Sequence, residues 1–122
     1  MRPLLAPLAL LPLLTACADL LPPGDCTTDV KPAVSVLIRD ARSGGDLTGP
    51  ATAIARDGAF ADTAEIGAGD SWAWLALERP GVYEVTVRRA GYREWTRTGV
   101  RARDGECHVR TATLRAELEP AT

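Results

Sequence analysis

Three cysteines and one histidine are the residues best suited to chemistry here. Cys17 follows Leu14-Thr15-Ala16, Cys26 and Cys107 stand far apart, and His108 adjoins Cys107. Two thiolates and an imidazole can begin a metal site. A fourth ligand and the usual close cysteine spacing are both missing, so no metal or cofactor is expected. Nucleophilic catalysis needs a hydroxyl, a base and an orienting acid. Ser35, Ser43 and Ser71 supply hydroxyls, but none lies in a Gly-x-Ser-x-Gly elbow. His108 reads instead as a surface histidine on an edge strand. Asp57 and Asp62 do not alternate as in a calcium loop, and no glycine-rich phosphate motif occurs. The expectation is a noncatalytic protein.

Tryptophan offers a different chemistry, since an exposed indole stacks on the apolar face of a sugar. Trp72 and Trp74 fall two residues apart, about 7 Å along a strand, and Trp95 could join them. The opposing reading is that these rings fill the core of a domain with a single phenylalanine. Exposure discriminates between the two.

The residues around Cys17 concern location. Met1-Arg2-Pro3 precedes Leu4–Leu14, a run of Leu, Ala and Pro only. A charged start followed by a short apolar run is the layout of a secretory signal. The run falls short of the roughly 20 residues that span a bilayer, and Pro7 and Pro12 weaken it as a helix. Leu14-Thr15-Ala16-Cys17 resembles the lipobox of bacterial lipoproteins: a branched apolar residue, two small residues and a cysteine. That resemblance implies cleavage after residue 16, with Cys17 becoming a lipidated N-terminus held in the membrane. Two or three acyl chains anchor stably where one holds only marginally. Ala18 rather than Asp follows the cysteine. By the enteric sorting pattern this favours the outer membrane, facing the periplasm.

Removing the leader leaves 106 residues, enough for one small domain. They carry 13 basic and 16 acidic residues, with Lys31 the single lysine. No basic stripe or acidic tail supports nucleic-acid binding. Outside the cytoplasm, the two remaining cysteines are expected to pair, Cys26 with Cys107. Closing a loop of that length contributes about 4.5 kcal/mol by chain entropy.

Positioning these residues falls to strands and turns. Residues 17–32 contain Pro-Pro-Gly and no periodicity, which marks a tether. From 33 to 120, period-two runs alternate with turn signals. Val34, Val36 and Ile38 share one face of the first run. Asp57-Gly58 separates the second and third, and Trp72, Trp74 and Ala76 share a face of the fourth. Tyr83, Val85 and Val87 point inward in the fifth. The sixth lies in "YREWTRTGV", and the last, "CHVRTATLRAEL", changes phase, for which a bulge or a bend near Ala112 would account. About seven short strands predict an all-β, antiparallel β-sandwich.

Residues 34–118 also resemble the carboxypeptidase regulatory-like family, a transthyretin-like sandwich related in form to immunoglobulin domains. The resemblance rests on Asp40, Gly45, Gly49, Asp57, Gly58, Phe60, Pro80, Gly81, Tyr83, Gly91 and Tyr92. It implies a noncatalytic domain and transfers no active-site residues. Apart from the family, Gly58 and Gly91 suit turns with positive φ. The two tyrosines can bury their rings while their hydroxyls find backbone partners. The combined expectation is an anchored envelope lipoprotein whose sandwich is an interaction or structural module, with a protein or glycan partner. The alternative is a carbohydrate-binding module using Trp72, Trp74 and Trp95.

Overall fold

The computed structural model describes Pro3 and residues 26–122. The leader and Cys17 lie outside the described residues. Seven strands form two packed sheets: β1 (Pro32–Asp40), β2 (Ala51–Asp57), β3 (Phe60–Ile66), β4 (Trp72–Leu77), β5 (Gly81–Arg88), β6 (Trp95–Ala102) and β7 (Ala112–Leu118). One sheet has the order β4-β1-β7 and the other β3-β2-β5-β6. Among the described residues the protein is a β-sandwich, and a disulfide joins Cys26 to Cys107.

Alternation builds the core. Val34, Val36 and Ile38 of β1 are fully buried, opposite Tyr83, Val85 and Val87 of β5 in the facing sheet. Leu75, Leu114, Ala116 and Leu118 complete the inner face of the smaller sheet, and Ala51, Ala53 and Ala55 that of the larger. Each buried Val or Leu contributes roughly 1.5–3 kcal/mol of transfer free energy. The ring of Tyr83 is only 1 % exposed and packs edge-on to Phe60, with centroids 6.3 Å apart.

Two features depart from the sequence expectation. Strand β7 runs parallel to β1, pairing Val34 with Ala112 through Asp40 with Leu118, while the other pairs are antiparallel. Second, β7 starts only at Ala112. Residues 107–111 belong to the β6–β7 loop, which is closed by an Arg103–Arg110 bridge. The change of phase at Ala112 is therefore a loop-to-strand boundary rather than a bulge or a bend within one long strand.

The parallel pair has a consequence for the cysteines. Because β1 and β7 start at the same end of the sandwich, the segments leading into them meet there. Cys26 and Cys107 sit on those segments, with Cα atoms 5.1 Å apart, and are joined by a disulfide.

Candidate functional site

Two groups of side chains stand out, one at the disulfide end and one on an outer face. At the disulfide end, Glu78 follows β4 with φ +53°, an uncommon conformation for a residue with a side chain. Its backbone N–H donates to Lys31 O at 2.8 Å, and its Oε1 accepts from Lys31 N at the same distance. Glu78 Oε2 accepts from Val109 N at 3.1 Å, and Oε1 lies 2.6 Å from His108 Nδ1. One carboxylate thus ties the start of β1 to the loop that carries the disulfide. The Lys31 N–H, foremost, then His108 and Val109, hold the Glu78 carboxyl below its ordinary range against partial desolvation.

Beyond Glu78, His108 Nε2 lies 3.0 Å from Thr27 Oγ1. A carboxylate only accepts, so Nδ1 carries a proton toward Glu78, while Nε2 and the Thr27 hydroxyl share the second hydrogen bond. The order hydroxyl–imidazole–carboxylate matches that of a nucleophilic triad. Here, however, its members join three segments of the fold, and Glu78 bridges two backbone N–H groups as well. His108 belongs to the β6–β7 loop, not to the edge strand expected from sequence. Among the described residues no group of three His, Cys, Asp or Glu side chains could hold a metal ion.

The motif residues singled out in the sequence converge in two knots. Beside the disulfide end, Asp57 Oδ2 accepts from Arg79 Nη1 at 3.1 Å, and the Arg79 guanidinium lies 3.9 Å over the Phe60 ring. The Tyr83 hydroxyl donates to the Arg79 carbonyl, a backbone partner as expected. Its oxygen, foremost, and Asp57 raise the Arg79 pKa. A side chain at Gly81 would place Cβ 2.5 Å from Asp57 Oδ2, so the carboxylate would have to shift from its bond to Arg79 to admit one. At the opposite end, Asp40 Oδ1 accepts from Arg42 N and Ser43 N, while Asp40 Oδ2 accepts from the Tyr92 hydroxyl at 2.8 Å. The partner of Tyr92 is thus a carboxylate rather than the expected backbone group. The Ser43 N–H, foremost, and then Tyr92 lower the Asp40 pKa, and the same bond raises that of Tyr92. Gly58 and Gly91 take φ of +58° and +82°, as their turns require.

On the outer face of the smaller sheet, Trp72 is 42 % and Trp74 58 % exposed. Ala73 and Leu75 occupy the inner face of β4, so the period of two turns both indoles outward. Across the sheet, Trp74 pairs with Ser35 and Trp72 with Leu37. Ala76 does not continue the tryptophan face: with φ +54° it is buried beside Leu75. An open groove of about 620 Å³ runs beside the pair, lined also by Ser35, Glu65 and Asp70. Trp95 is partly buried against the core and lines a separate depression with Arg97, Thr113, Arg115 and Glu117. Trp72 and Trp74 are therefore brought together, and Trp95 is not part of their groove.

The carboxylates around β4 escaped the sequence reading. Ile38 N donates to Ser71 O across the β1–β4 ladder, so its register turns the N–H groups of Ala73 and Leu75 toward β1. Those of Trp72 and Ala76 point to the open edge, where Asp70 Oδ1 accepts from Trp72 N at 3.1 Å and Asp62 Oδ2 from Ala76 N at 2.7 Å. Asp70 precedes Trp72 by two residues, the spacing of an Asx turn, which could have been read from sequence. Nothing local links Asp62 to Ala76.

No protein-family model and no curated protein matches the chain.

Proposed function

We propose that this chain is an envelope lipoprotein, exported by residues 1–16 and anchored at Cys17, whose sandwich is a noncatalytic interaction or structural module. The observation that carries the reading is the clasp at the disulfide end. There Cys26–Cys107 and the Glu78 bonds to Lys31 and Val109 fasten the segment leading into β1 directly to the sandwich. Cys26 follows Cys17 by nine residues, a reach of at most roughly 30 Å even when fully extended. A lipid on Cys17 would thus hold the domain near the membrane by its clasped end. A disulfide also suits the oxidising compartment beyond the inner membrane. The meeting of Asp57, Phe60, Gly81 and Tyr83 in one knot, and of Asp40 and Tyr92 in another, supports the likeness to carboxypeptidase regulatory-like domains.

The test is metabolic labelling of cells expressing the full chain with radioactive palmitate, followed by membrane fractionation. Wild type takes up label and sediments with the outer membrane, and Cys17→Ser loses both. A variant that keeps label and membrane association contradicts the anchor.

A second reading, a carbohydrate-binding module, is favoured by the exposure of Trp72 and Trp74 on one face. Saturable binding of any glycan on an array by residues 18–122 supports it, and a blank array opposes it.

A further inference from the structure

We infer that the groove beside Trp72 and Trp74 is a binding site for an uncharged oligosaccharide of pyranose rings. The inference deepens the carbohydrate reading and rests on it. Its ligand chemistry follows from what lines the groove. Two indoles one strand repeat apart, about 7 Å, present successive stacking surfaces on the scale of neighbouring sugar rings. Glu65 and Asp70 line the same groove as hydrogen-bond acceptors for sugar hydroxyls, and Ser35 lies beneath it, paired with Trp74. Apolar faces with a few placed polar groups are the usual composition of a small-ligand site.

The charge of the lining narrows the class. Among the described residues, both ionisable groups lining the groove are carboxylates, and no Lys, Arg or His lines it. Acidic polysaccharides are therefore repelled, and neutral glycans are not.

Three other occupants fit less well. An added β-strand needs a run of edge N–H groups on β4, and two of the three that face outward, those of Trp72 and Ala76, are already taken by Asp70 and Asp62. A second copy of the chain needs about 800 Å² per partner. Two partly exposed indoles offer roughly 250 Å². An anionic bilayer surface attracts basic residues, whereas this groove is acidic.

The experiment titrates residues 18–122, with the disulfide formed, with maltohexaose, cellohexaose, chitohexaose and, as an acidic arm, a galacturonic acid hexamer. Binding is followed by tryptophan fluorescence and calorimetry. At least one neutral hexamer is expected to bind saturably and the acidic one not at all. Trp72→Ala and Trp74→Ala should each weaken binding about tenfold or more, whereas Arg101→Ala, on β6 of the other sheet, leaves it unchanged. Thermal melts of each variant separate lost binding from lost fold.

Neutral-glycan binding that survives in both correctly folded tryptophan variants overturns the site while leaving the carbohydrate reading standing. Binding of the acidic hexamer alone overturns the ligand class. A blank result with every glycan on an array overturns the inference together with that reading. Tryptophan-dependent flotation with anionic phospholipid vesicles, or tryptophan-dependent dimerisation in sedimentation, assigns the face to another occupant and likewise overturns it.

Discussion

Asp62 Oδ2, on β3, accepts a hydrogen bond from the backbone N–H of Ala76, on β4, at 2.7 Å. The two strands are edges of different sheets. A single carboxylate therefore closes the seam of the sandwich and occupies an edge donor that would otherwise invite another strand. Asp62→Ala is expected to destabilise the fold by about 1–3 kcal/mol, because it leaves a part-buried N–H without a partner. Asp62→Asn, whose amide oxygen still accepts, should recover part of that loss. Urea unfolding measures both, and equal losses for the two variants would show that the hydrogen bond is not the cause.

A Cβ at Gly81 would meet Asp57 Oδ2 at 2.5 Å, and that carboxylate is held by Arg79. Gly81→Ala should therefore cost roughly 1–3 kcal/mol through overpacking. Removing the obstacle in Asp57→Ala/Gly81→Ala should make the double variant more stable than the two single losses predict. A double-mutant cycle in urea reads this coupling, and strictly additive losses would place the strain elsewhere.

The disulfide stabilises chiefly by restricting the unfolded chain. Cys26→Ser/Cys107→Ser is expected to lose up to about 4.5 kcal/mol and to melt at lower temperature while remaining a sandwich in circular dichroism. Full wild-type stability in the double variant would mean that hydrogen bonds at this end suffice without the covalent link.

Glu78 and Asp40 both have depressed pKa values in the folded state. For a carboxylate of this kind, the stability it adds is present above its unfolded pKa and disappears as pH falls through the folded one. Stability should thus be level near neutrality and decline from about pH 4–5 downward. Glu78→Gln should reduce stability at neutral pH and flatten that decline. His108→Ala should likewise lower stability, and the wild type should show no turnover of ester or amide substrates. Wild-type hydrolysis abolished by Thr27→Ala or His108→Ala would instead make the hydroxyl–imidazole–carboxylate chain catalytic.

Much of the fold was legible because it depends on local periodicity. Val34-Val36-Ile38 and Tyr83-Val85-Val87 alternate cleanly, and these residues form the centre of the core. Gly58 marked a turn because only a residue without Cβ takes its φ of +58° freely. The parallel course of β7 beside β1 was not legible, since pairing direction depends on a long-range crossover rather than on residue pattern. For the same reason residues 107–111 read as strand: they alternate, yet bridge the two sheets as a loop. The disulfide followed from cysteine arithmetic and the expected export of the chain, but its geometric cause, the shared starting end of β1 and β7, did not. The tryptophans were ambiguous because period two assigns Trp72 and Trp74 to one face without saying which face is inside. Ala73 and Leu75 decide that, being fully packed beneath the sheet. Glu78 left no sequence signal, because its three partners come from segments distant in the chain.

We propose that a lipid at Cys17 holds this clasped sandwich at the membrane. Mass spectrometry of the mature N-terminal peptide, extracted from membranes of cells expressing the full chain, tests it most directly. The expected peptide begins at Cys17 and carries a diacylglyceryl group on the thiol, with or without an acyl group on the amine. An unmodified peptide, whether it starts at Ala18 or still contains Leu14-Thr15-Ala16, would contradict it.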